Sequence, residues 1–101
     1  MGNLYRHGDV LIGAVEAIPA QAHRQPHLIL ARGEVTDHSH RIADPDTAQL
    51  WEINGELYLD VVAAFATLIH EEHQTIMLPQ GTYRVWTQRE YTPQEIRRVY
   101  D

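Results

Sequence analysis

The sequence predicts a mainly β domain, a small antiparallel barrel or sandwich of about seven or eight short strands followed by one short C-terminal helix. Three observations lead there. Runs of β-prone residues recur at close intervals, an Asn54-Gly55 step joins two of them, and Thr92-Pro-Gln-Glu95 carries the marks of a helix start. With 101 residues, no repeat and no linker-like stretch, residues 1–101 read as one domain with a single core.

In chain order, Asp9 to Val15 is an apolar run between Gly8 and Ile18-Pro19, and reads as the first strand, with Gly13 marking a bulge or close approach. Gln21 to Pro26 is polar and reads as a loop. Leu28 to Arg32 is a second apolar run, and Val35 to Ile42 a third strand. Asp44-Pro-Asp46 is a turn. Leu50 to Ile53 and Glu56 to Val61 flank Asn54-Gly55, so a two-residue hairpin sets Trp51 opposite Tyr58. Val62 to Ile69 and Thr75 to Leu78 read as further strands, Pro79-Gln-Gly81 as a turn, and Thr82 to Tyr91 as a long alternating strand. A capping box with proline at the first helical position predicts a helix over Pro93 to Tyr100. Trp51, Tyr58, Phe65 and Trp86 read as packing side chains of the core or sheet faces.

Composition narrows the chemistry. The chain has no cysteine, which excludes disulfides, thiolate metal sites and cysteine nucleophiles. It has no lysine either, which excludes Schiff-base chemistry and a phosphate-loop lysine. A net charge of −6 opposes non-specific binding to nucleic acid. No apolar window is long enough to span a membrane, and the first residues lack the apolar core of a signal peptide, so a cytoplasmic location is expected.

What remains is histidine. His38 and His40 are two apart, the spacing at which a strand presents both rings to one face. His70 and His73 are three apart and meet if Glu71-Glu72 forms the centre of a tight hairpin, or on one turn of helix. Converging, these four imidazoles would bind one divalent transition metal (Zn, Fe, Mn, Ni or Cu). Glu71 or Glu72 would add an oxygen ligand or act as general base on a metal-bound water, and Asp37 would take a ligand's free ring N–H. His7, His23 and His27 have no such context and read as solvated bystanders.

Two other readings stand beside the metal site. In one, the histidines perform metal-free acid–base chemistry, such as phosphodiester cleavage, with Arg41, Arg84 or Arg89 holding an anionic small-molecule substrate. In the other, they are superficial and the domain is an interaction or accessory module. An edge strand left open by an incomplete barrel would favour a homodimer.

Gly33-x4-His38-x-His40, followed by Leu78-Pro79-Gln80-Gly81-Thr82-Tyr83, resembles the paired motifs of the cupins, small β-barrels with a mononuclear metal. The resemblance implies that His38 and His40 are first-motif ligands. It covers about half the chain, with one residue fewer between glycine and histidine, Asp44 as the only acidic residue soon after His40, and Arg84 at the place of the second-motif histidine. His70 and His73 have no counterpart in it.

Overall fold

The computed structural model describes residues 3–33 and 37–88. These form an antiparallel sheet curled into a half-barrel, with eight strands: β1 Leu4–His7, β2 Val10–Ala14, β3 His23–Arg24, β4 Ile29–Arg32, β5 Ser39–Ile42, β6 Ala48–Ile53, β7 Glu56–His70 and β8 His73–Thr87. One 3₁₀ turn, Pro45–Thr47, precedes β6, capped by the Asp44 carboxylate accepting from the Asp46 N–H at 3.0 Å. The helix predicted over 93–100 lies outside the described residues.

The frame is the β7–β8 hairpin, two strands of 15 residues each. The sequence reading divided each at the places where the pairing slips. Val61 pairs with Gly81 and Phe65 with Pro79, so Val62, Ala63 and Ala64 stand opposite Gln80 alone. Extra residues on one strand bend it and increase its twist. Pro79-Gln-Gly81 is therefore a kink within β8 rather than the turn its composition suggests. Proline is tolerated at such an irregularity, Gly81 supplies φ +153°, and the Gln80 amide donates to the Val62 carbonyl at 2.9 Å.

The bend divides the pairing. Before it, β7 carries β6 on its other edge, and β6 carries β3; beyond it, β7 carries β5, which pairs with β4. β8 carries β2 and then β1. The Asn54-Gly55 hairpin has the predicted register, with Trp51 opposite Tyr58, and both turn residues take the positive φ of a primed turn (+53° and +80°).

Inward residues alternate along each strand as a half-buried sheet requires: Val10 and Ile12, Leu50, Leu59 and Val61, Ala66 and Leu68, Leu78, Tyr83 and Val85. Burying each larger aliphatic stabilises the fold by about 1.5–3 kcal/mol.

Two other readings change and a third, left open, is decided. Leu4–His7 forms an unpredicted strand, because Gly8 at φ +64° turns the chain back into β2. Two residues of the expected loop, His23 and Arg24, pair with Glu52 and Trp51. Phe65 faces outward and is 51% exposed, since its alternation partners Ala66 and Leu68 take the inner face. Leu59→Ala should accordingly cost about 2–5 kcal/mol of unfolding free energy in denaturant titrations. Phe65→Ser should stay within about 0.5 kcal/mol of the parent.

Candidate metal centre

The site is built by curvature. His7 lies at the end of β1 and His40 in β5, four places apart in the strand order β1-β2-β8-β7-β5. In a flat sheet those strands would be about 19 Å apart. Here their Nδ1 atoms are 2.9 Å apart, so the sheet has rolled until the β1–β2 turn meets the β7–β8 turn.

Of the two geometries open to His70 and His73, the hairpin is the one formed. They are a directly opposed pair with Glu71-Glu72 as the turn, and their ring centroids are 4.6 Å apart. A second pairing slip, between the Leu68↔Ile76 and His70↔His73 pairs, places Ile69 against Gln74 and Thr75. Such a bulge next to a turn re-aims the side chains beside it. The ring of His40 then lies 4.3 Å from that of His70 and 5.4 Å from that of His73. His38 precedes β5 and is half-buried, 5.7 Å from the His70 ring. All four sequence-predicted histidines thus meet in one cluster.

Two overlapping groups can hold a metal ion. One ligand atom from each of His40, His70 and His73 lies within 4.8 Å of the others, and the same is true of His38, His70 and Glu71. A tetrahedral zinc site needs ligand nitrogens about 3.3 Å apart, a closure within reach of side-chain rotation.

The two glutamates differ. Glu71 Oε2 accepts from Arg41 at 2.9 Å and Oε1 from the Ser39 N–H at 3.1 Å, which ties the turn to the start of β5. Its own backbone N–H, then Ser39 and Arg41, hold its carboxyl below the usual carboxylate range. Glu72 is exposed, with Oε2 3.5 Å from His38 Nδ1. Asp37 is an exposed turn residue at φ +77°. Arg41 is spent on Glu71, and Arg84 sits on the far half of β8 beside Glu56, so neither guanidinium points to an anion held at the cluster. Arg89 lies outside the described residues.

His23 and His27 are exposed, as expected, but His7 is not a bystander. It is 2% exposed, with Nε2 2.8 Å from the Gln74 carbonyl oxygen and its ring within 5.7 Å of that of His73. The available signal was Gly8-Asp9 between two β-prone segments, a two-residue hairpin turn that makes His7 the strand-end residue facing Val10. Gly8 is required where it stands: besides its positive φ, a Cβ there would lie 2.7 Å from His73 Nε2 and 3.0 Å from His40 Cε1.

Burial is the main cause lowering the two buried histidines, His40 and His7. It pushes His40 down to about 4, aided by the neighbouring His70 and His7, and lowers His7 as well. Neutral imidazole is the form that binds metal.

Fold and site together define a curled antiparallel half-barrel with histidine groups able to hold a metal ion at its mouth. Residues 6–88 match the family model of a domain of unknown function (DUF8820), and the chain belongs to that family; the matched segment contains all five clustered histidines. No curated protein and no solved structure matches the chain. Among the described residues, no helix is long and apolar enough to cross a membrane.

The lowered histidines make the metal-free protein acid-sensitive. Between the unfolded value near 6.5 and the folded value of about 4 for His40, only the unfolded chain takes up that proton. Stability should therefore be full above 6.5 and fall as pH drops through that window, measured by urea titrations at stepped pH. His40→Phe should flatten the dependence, and an unchanged slope in that variant would contradict the assignment.

Proposed function

We propose that this domain binds one divalent transition metal ion (Zn, Fe, Mn, Ni or Cu) at the His40, His70 and His73 cluster, with His38 and Glu71 at its edge. The observation that carries this reading is the convergence of three imidazoles from three strands on a space under 5 Å across, one of them buried and kept neutral. Nitrogen-rich sites suit these ions. The cupin resemblance of the His38-x-His40 segment supports the same reading.

A three-histidine set leaves a coordination position open for water, whose pKa a bound ion lowers. The domain would then act as a hydrolase or lyase on a small molecule. Glu72 is the better general base of the two glutamates. Its carboxylate is exposed beside His38, whereas both oxygens of Glu71 are occupied and its proton affinity is reduced.

One observation favours a second reading. His70 Nδ1 accepts the Glu72 N–H at 2.9 Å, so neutral His70 carries its proton on Nε2 as a potential acid beside His40. Metal-free acid–base catalysis would use that pair. Under the metal reading, His70 gives up this hydrogen bond and turns its ring to ligate.

Protein purified without a polyhistidine tag should take up about one Zn ion per chain. His40→Ala and His73→Ala should each lower affinity by more than about 100-fold, and His38→Ala by about 10-fold, read by competition with a chromophoric chelator. A preparation that arrives free of metal and takes up none of Zn, Ni, Mn or Fe would remove the metal reading. Catalysis that survives exhaustive chelation but is lost in His40→Ala and His70→Ala would establish the second.

A further inference from the structure

We propose that His7 is a positioning residue that fixes which nitrogen of His40 faces the metal, making the β1–β2 hairpin part of the centre although it supplies no ligand. The inference rests on the metal reading for its purpose, but its geometry stands alone. A backbone carbonyl can only accept, so the 2.8 Å contact between His7 Nε2 and the Gln74 oxygen requires the proton on Nε2. A neutral His7 then has a bare Nδ1. That atom lies 2.9 Å from His40 Nδ1, and two bare nitrogens at this distance would repel. His40 must therefore donate from Nδ1, which leaves the Nε2 of a neutral His40 without a proton.

That bare nitrogen is 3.7 Å from Asp9 Oδ1. An unprotonated ring nitrogen this close to a carboxylate oxygen is a pairing that a cation suits. The relay runs from the Gln74 carbonyl through His7 to His40, and each step has one permitted direction. A charged His7 would reverse it, giving His40 an Nε2–H near Asp9, but His7 is 2% exposed and its ring is packed against those of His40, His70 and His73, a setting that disfavours a charge. Ligating histidines commonly have their orientation and tautomer set by a partner on the other ring nitrogen; here that partner is a second imidazole anchored to backbone.

Glutamine at position 7 would preserve the logic. Its amide N–H can donate to the Gln74 carbonyl while its oxygen accepts from His40 Nδ1. Leucine can do neither. The test uses ¹⁵N-labelled protein at neutral pH, with ring-nitrogen shifts reporting each tautomer and Zn²⁺ as the metal probe.

In metal-free parent protein and in His7→Gln, His40 should carry its proton on Nδ1 alone, with Zn affinities within about threefold of each other. In His7→Leu the two His40 tautomers should mix and Zn affinity should fall by about 10–100-fold. A proton on Nε2 of His40 in the parent would overturn the inference, as would His7→Leu with parental tautomer and affinity, or His7→Gln as weak as His7→Leu. The parent measurement decides even where a variant fails to fold. A parent showing the stated tautomer but no Zn uptake would uphold the relay and remove the metal reading, so the two fail separately.

Discussion

The contact on which the rest depends is the one between His7 and His40, because it joins β1 to β5 across the curl of the sheet. Hydrogen-bonded pairing alone would leave these strands far apart. Two slips in the β7–β8 pairing, at Val62–Ala64 and at Gln74-Thr75, are where the hairpin departs from regular register. The first lies at the change of partner strands and the second beside the site. Core residues on the inner face, among them Leu59, Leu68 and Leu78, hold the curled form by burial. At the mouth, where apolar side chains give way to polar ones, imidazoles take their place.

This arrangement explains the division of labour among otherwise similar residues. His40 is 3% exposed and its charge is suppressed by burial, whereas His73 remains open to solvent. An ion held there would have one buried and one open side, and so a natural direction of approach. Glu71 and Glu72 are neighbours in sequence with different work: one ties the turn to β5, the other stays exposed. The absence of lysine and cysteine from the chain concentrates the chemistry on imidazole and carboxylate.

Much of this was legible in the sequence, for identifiable reasons. Asn54-Gly55 encodes its turn locally, and ligand spacing marked His38, His40, His70 and His73. The unity of β7 and β8 was not legible, because Pro79 and Gly81 look like a turn when their cross-strand partners are unknown. Whether Phe65 belongs to the core or to an outer sheet face was left open, because β periodicity gives two faces without saying which is inner. His7 was missed because the Gly8-Asp9 turn shows only that it ends a strand, whereas its partners are 33 and 67 residues away in sequence. Arg84, at the place of the cupins' second-motif histidine, lies beside Glu56 on the other half of β8.

The central claim is that curvature makes a metal centre from His40, His70 and His73. X-ray absorption at the zinc edge of the loaded protein tests it most directly. The account predicts about three imidazole nitrogens at about 2.0–2.1 Å, with at least one lost in His73→Ala. A shell of oxygens alone, or an imidazole count unchanged in that variant, would contradict it.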